Sequence, residues 1–340
     1  MPKAPSTLPI SALFGVIKPS GLTSMAVVEE IKQLVGTSRL FVEGDKLKKA
    51  NGSRGKTKRG KHDRFPVKIG QGGTLDPLAD GVLVVGVGKG TKKLSEFLDC
   101  VKEYRTTCLL GCETDTYDSE GKQVRVTPWR HVTREKVEGA LDQFRGEITQ
   151  VPPIFSALKM DGKPLYEYAR KGIPLPRPIE QRKVTVHSLE LVDWKGSKHD
   201  FRWPEKKFSE EEKKAMEKAL QGVETNATIE DEPEENGTEA PTAFVLRMSV
   251  SGGTYVRSIV HDLGHALESS AHVVTLTRSR QGRFSLEPTE NTDLPCVPFE
   301  VFTKAREDVG EIDANGWAEW EREVMDRLEI IEGKGIDKSN

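Results

Sequence analysis

Residues 70–92 read GQGGTLDPLADGVLVVGVGKGTK, and the stretch turns on Asp76. Gly70, Gly72 and Gly73 precede the aspartate and Pro77 follows it. Glycine lets a backbone pass close to a ligand, while proline fixes a turn and removes a donor. The apolar run Val82–Val87 then reads as a strand buried on both faces. A carboxylate on a turn at the mouth of such a strand is placed for catalysis. Read alone, an Asp-Pro turn with its side chain in water accounts for the same residues. Two nucleotide motifs are excluded. Gly88-Lys89 runs into Gly90, with Leu83 five residues before Gly88, so the phosphate-cradling spacing fails. Leu75 stands where a dinucleotide fingerprint starting at Gly70 would need its third glycine.

TLDPLADGVL together with the downstream GVGKGTK resembles the signature of the TruB family of tRNA pseudouridine synthases. Other blocks resemble the same family in the same order. They are Lys18–Ser24 (KPSGLTS), Lys102–Arg105 (KEYR), Gly111–Gly121 (GCETDTYDSEG), Val151–Gly172 and Gly253–Gly264 (GTYVRSIVHDLG). Such a series, covering roughly half the chain, is far more specific than one short motif. Within the family, the fungal stand-alone tRNA pseudouridine(55) synthases are the most similar group.

The resemblance implies an isomerase that breaks the bond from uracil N1 to C1′ and rejoins the base through C5. Nothing is oxidised and no group is gained or lost, so it implies neither metal nor cofactor. Asp76 is implied as the carboxylate beside the sugar, acting as nucleophile or as base. Arg257 matches the family's arginine that pairs with the aspartate, and Tyr104 its active-site tyrosine against the target base. Tyr255 and Leu276 match pocket positions, and Lys18 and Lys159 are candidates to touch phosphate or to hold the N-terminal element. Read without the family, these are a helix-start arginine, a packed strand tyrosine, a core leucine and surface lysines. One position departs: Gln71 stands where the family has a histidine that fills the space left by the flipped base. The resemblance implies tRNA as partner through its T-arm, with the uridine flipped out, and leaves room for messenger RNA. It implies a monomer without obligate protein partner, acting in the nucleus, the mitochondrion or the cytoplasm. Two other classes stay open: the catalytic subunit of a guide-RNA-dependent particle, and a non-catalytic tRNA-binding or folding protein on the same scaffold.

The 340 residues, 36% hydrophobic, are enough for one large core or two linked ones. No apolar stretch approaches the ~20 residues of a spanning helix. The start, MPKAPSTLPISALFG, resembles neither a secretory signal nor a mitochondrial presequence. Cys100, Cys108, Cys112 and Cys296 form no C-x-x-C pair and read as reduced thiols.

The net charge of −2 conceals a division. Residues 41–68 carry ten Lys/Arg against three Asp/Glu, residues 205–239 five against twelve, and residues 300–340 six against twelve. The remaining body and the basic segment together are therefore positive enough to face phosphates. The basic segment reads as a mobile insertion at about 37–68. An acidic one at about 196–242 reads as disordered or partly helical, and excisable without harm to folding. The predicted organisation is a catalytic domain over 10–295 and an acidic extension over 296–340 that resembles no PUA domain. Strands at Tyr104–Leu110, Val184–Val192 and Phe244–Val250 mix with helices at Glu135–Phe144, Leu165–Lys171 and Val256–Leu267. A further helix, capped by Ser24, runs to Val35. No βαβ repeat runs through the pattern, which predicts an α+β fold with a mixed, largely antiparallel sheet. The resemblance implies a pseudouridine synthase fold with flanking helices.

Overall fold

The computed structural model describes residues 7–47, 65–156, 158–171, 173–214, 231–232 and 239–331. The chain divides into two compact units, residues 1–100 with 278–340, and residues 101–277. The first begins with β1 (Ala12–Lys18), α1 (Ser24–Val35), β2 (Ile69–Gln71), β3 (Asp80–Val87) and the short α2 (Glu96–Asp99). The second opens with β4 (Lys102–Leu110), β5 (Cys112–Thr114), β6 (Gln123–Val126), α3 (Arg134–Ala140) and β7 (Gly146–Gln150). It goes on through β8 (Lys159–Met160), β9 (Lys163–Pro164), α4 (Leu165–Arg170), β10 (Arg182–Gly196), β11 (Ala243–Val250) and α5 (Val256–Ala266). The boundary between the units falls inside β12 (Ala271–Gln281). The chain ends in the first unit with β13 (Phe284–Ser285), β14 (Leu294–Pro298), α6 (Phe299–Glu307), α7 (Glu319–Met325) and β15 (Leu328–Ile330).

In the first unit β1 pairs antiparallel with β3 along its whole length, parallel with β14 and antiparallel with β15. The continuous apolar run of β3 is explained by its two faces. Leu83, Val85 and Val87 pack with Phe14, Ile31 and Phe302, whereas Val82 and Val84 pack with Phe97 and Phe284. A strand covered on both sides has no solvent face to mark with polar residues. In the second unit β4, β11, β10 and β7 form an antiparallel run. The fold is α+β with a mixed, largely antiparallel sheet, as the pattern predicts.

Several expectations are corrected. Thr23, not Ser24, caps α1: its hydroxyl accepts from Ala26 N at 3.1 Å. The predicted basic insertion begins too early, because Leu40, Phe41 and Val42 are buried core; its residues 48–64 lie outside the described residues. The described part of the acidic insertion is ordered against the second unit. Trp203 Nε1 donates to Leu110 O at 2.9 Å, and Gln123 N donates to Lys206 O at 2.8 Å. Residues 215–230 and 233–238 lie outside the described residues. A domain boundary at 295 would cut β14. The C-terminal stretch beyond β14 is no appendage, since Phe302, Trp317 and Trp320 are buried beside β1 and α1. There Ser38 Oγ donates to Glu321 Oε1 at 2.5 Å. The thiols of Cys108, Cys112 and Cys296 are buried, and burial pushes the Cys296 thiol up to about 12.

Candidate active site

In the first unit the segment 70–81 runs from β2 to β3 as a turn held from behind by buried donors. Ser24, at the start of α1, donates its hydroxyl to Leu75 O at 2.9 Å and accepts from Leu75 N at 2.8 Å. Lys18, at the end of β1, is fully buried and donates to Ala79 O and Pro19 O, with Pro77 O at 3.3 Å. On the other side Arg278 Nε donates to Val82 O at 2.7 Å and its Nη2 to Gly73 O at 3.2 Å. Gln281 Nε2 donates to Gly72 O and to Phe97 O. Gly81, at φ +97°, lies so close to the Arg278 backbone that a Cβ would collide with it. Asp76 is half-buried, and its carbonyl accepts from Ala79 N at 3.1 Å, closing the turn. Buried backbone acceptors are thus satisfied by specific donors, and the carboxylate is carried on a backbone that has little freedom to move.

Lys18 therefore does not serve as a phosphate ligand. Its ammonium is enclosed by carbonyls, and burial lowers its pKa to about 8, against the opposing pull of the Asp80 and Asp76 carboxylates. Gln71 ends β2 opposite Val85, with Nε2 donating to Thr74 Oγ1 at 3.3 Å. Its Oε1 is buried and has no hydrogen-bond partner among the described residues.

The second unit carries the other predicted residues. Arg257, in the first turn of α5, is buried. Its Nη1 donates to Thr116 O at 2.5 Å and its Nη2 to Phe155 O at 3.0 Å; Nε lies 3.8 Å from Asp118 Oδ2. Asp118 is itself oriented by Thr116 Oγ1 at 2.6 Å and Glu120 N at 3.1 Å. Tyr255 precedes α5 and exchanges backbone hydrogen bonds with the Gln150 amide, its ring lying 5.8 Å from the Arg182 guanidinium. Tyr104 on β4 and Leu276 on β12 are both buried. Lys159 is exposed at the start of β8. Lys18, Gln71 and Asp76 thus lie in one unit, and Tyr104, Tyr255, Arg257 and Leu276 in the other.

Sequence reasoning gives no role to Arg278, Gln281 or Asp118, and reads Ser24 only as a helix cap. Asp118 lies in the quoted block Gly111–Gly121, which is its only signal. Arg278 and Gln281 sit about two hundred residues from the turn they hold, and nothing local marks them.

The family description "TruB family pseudouridylate synthase (N terminal domain)" matches residues 59–208. The chain is 38% identical to tRNA pseudouridine synthase 4 of Schizosaccharomyces pombe, over 90% of this chain and 84% of that protein. It is 34% identical to tRNA pseudouridine synthase 4 of Saccharomyces cerevisiae, over 88% and 85%. It is also similar to a chain in the crystal structure of a Cbf5–Nop10–Gar1 complex. There the TM-score is 0.49 at 21% identity, over 94% of this chain and 60% of that one. With the turn around Asp76 intact and relatives matched over most of their length, the chain belongs to the TruB family of pseudouridylate synthases.

Proposed function

We propose that this chain converts a uridine of tRNA, the one at position 55 in the T-arm, to pseudouridine, acting alone as a monomer. The observation that carries the reading is the braced turn that holds Asp76, in a chain whose matched relatives are named tRNA pseudouridine synthases. As N1 leaves, C1′ becomes electron-poor. An ionised carboxylate held beside it acts as the nucleophile there, or as the base that removes the proton from C2′. A fixed backbone keeps that carboxylate from wandering, which is where positioning contributes to rate. In the same reading Arg257 supplies fixed positive charge, and Tyr104, Tyr255 and Leu276 line the base pocket. The flipped uridine gives up stacking worth a few kcal/mol, roughly, and contacts to the splayed base offset that loss.

The test is to incubate purified full-length protein with an unmodified tRNA transcript, without other RNA or protein, and to map pseudouridine. Modification at position 55 by the wild type, abolished by Asp76→Asn with tRNA binding retained, is the expected outcome. Activity only with an added guide RNA would favour the particle subunit. Binding without modification would favour a folding protein. The same reading has the enzyme act in the nucleus, the mitochondrion or the cytoplasm, which imaging of a tagged full-length chain distinguishes.

A further inference from the structure

Within the second unit, α5 presents two histidines that the isomerase reading leaves without a task. His261 and His265 are four residues apart and share one helix face. Their rings lie with centroids 4.3 Å apart. Glu113 of β5 reaches both: Oε1 is 3.2 Å from His261 Nε2, and Oε2 is 3.2 Å from His265 Nε2. One ligand atom from each of the three residues lies within 4.8 Å of the others.

Three details give this cluster the chemistry of a metal site. First, His261 Nδ1 is 3.0 Å from Asp262 Oδ1. A carboxylate accepts, so in the metal-free protein Nδ1 donates to Asp262 and Nε2 donates to Glu113, and a bound ion would take the place of the Nε2 hydrogen while Asp262 holds Nδ1. A carboxylate behind a ligating imidazole is the usual outer partner in metal sites. Second, Arg125 donates from Nε to Glu113 Oε2 at 2.7 Å, and its Nη2 lies 2.7 Å from His265 Nε2. A guanidinium only donates, so His265 Nε2 accepts, and its lone pair already faces a cation. Third, a tetrahedral ion with bonds of about 2.0 Å holds its donors about 3.3 Å apart. Each histidine lies 3.2 Å from a different Glu113 oxygen, near that length, and one donor atom from each residue lies within 4.8 Å of the others, so a small closure of the cluster completes the triangle.

We propose that Glu113, His261 and His265 form a binding site for a divalent transition ion of the zinc class, entered when the Arg125 guanidinium swings aside. Two imidazoles and one carboxylate select zinc, cobalt or nickel over magnesium, which takes oxygen donors. His265 is 41% exposed, which leaves a path for the ion and room for a water as fourth ligand. The His261 ring stacks on Tyr117 at 3.9 Å, so its orientation is fixed before any ion arrives. The site sits one helical turn beyond Arg257, and Thr116 and Asp118, which hold Arg257, come just after Glu113 in the chain. An ion bound there would tie α5 to the strand that leads into that loop.

The experiment is titration of the chelator-stripped full-length protein with zinc chloride by calorimetry, and with cobalt chloride by visible absorption. The buffer is held at about pH 8, because the ion competes with protons for histidine. We expect one ion per chain, visible cobalt bands without near-ultraviolet thiolate bands, and no competition from magnesium chloride. Asp262→Asn should weaken binding by about 10- to 100-fold. His265→Ala should weaken it further, and Arg125→Gln should strengthen it. Circular dichroism checks that each variant is folded, and the wild-type cobalt spectrum stands whether or not they are. No heat and no cobalt band in the wild type would overturn the proposal. So would thiolate bands, or unchanged affinity in folded His265→Ala.

Discussion

Ser24 Oγ and the backbone of Leu75 exchange two hydrogen bonds, of 2.8 and 2.9 Å, with both groups buried. One hydroxyl thus satisfies the donor and the acceptor of the residue just before Asp76. In Ser24→Ala both Leu75 groups lose their partner, which costs about 1–3 kcal/mol per unsatisfied buried group at most. The denaturation midpoint should fall, and single-turnover pseudouridine formation should slow, while tRNA affinity changes little. An unchanged midpoint and rate would show that the turn keeps its shape without this bond.

Arg257→Lys should be costly although the charge is kept. The guanidinium serves Thr116 O, Phe155 O and the Asp118 carboxylate at once. A lysine offers a single ammonium on a flexible stem and cannot reproduce that fork. Turnover should drop far more than thermal stability. A near-wild-type rate would remove Arg257 from the proposed active site.

Lys18 gives a pH signature whose sign is set by its burial. Its pKa in the folded protein is about 8, below the ordinary 10.5 that the unfolded chain keeps. Between those values the unfolded state holds more protons, so this group makes stability rise with pH. Below about 8 the lysine is charged in both states, and its burial penalty is fully present. The wild type should therefore gain stability relative to Lys18→Met on going from neutral pH through that window. Chemical denaturation of both proteins across the range reads the difference, and parallel curves would show that Lys18 keeps an ordinary pKa. Lys18→Met should also be less stable overall at neutral pH, because Ala79 O and Pro19 O lose their donor.

Gln71 Oε1 is a buried acceptor with no partner among the described residues. Such a group is a cost unless a ligand donor meets it, and uracil carries an N3–H. Gln71→Ala should slow modification of folded tRNA without abolishing it, and matter less on a substrate whose target base is already unstacked. Gln71→His, which restores the usual family residue, should be at least neutral. Identical rates for glutamine, alanine and histidine would make the position a spacer.

Removal of residues 205–239 with a Gly-Ser bridge should destabilise the protein, contrary to what composition suggests. The deletion takes away Lys206 O and Phe208 N, the partners of Gln123, and Asp231, which accepts from Val126 N at 2.9 Å. Strand β6 would then present unpaired backbone groups. A deletion variant with wild-type melting behaviour would show those bonds to be replaceable by water.

How far this molecule is legible from its sequence depends on the range over which each residue acts. The run Val82–Val87 announces a buried strand, because its neighbours on both faces are apolar and the pattern is local. The start of α1 is misread by one residue: Thr23 and Ser24 are equally good caps on composition, and only the remote Leu75 backbone decides that Ser24 is used elsewhere. Residues 300–340 read as an acidic tail because charge counts weigh the exposed faces of α6 and α7, while burial of Phe302 and Trp320 depends on β1 and α1 far upstream. Asp76 is marked by a short motif. Arg278 and Gln281, which hold its turn, are not, because their partners are carbonyls and leave no trace in side-chain pattern.

The interrupted course of the first unit has a consequence for biosynthesis. Strand β1 is bordered by β3 from its own half of the chain, and by β14 and β15 from the last fifty residues. The second unit, residues 101–277, is contiguous and can close as soon as it leaves the ribosome, since domains generally fold as units during synthesis. The turn bearing Asp76 cannot. Its braces Arg278 and Gln281, and the strands β14 and β15 beside β1, follow the second unit in the chain. Until residues 278–330 are made, the nascent protein carries the finished arginine loop but not the braces of the Asp76 turn, so the backbone that carries that carboxylate is fixed only after the second unit is complete.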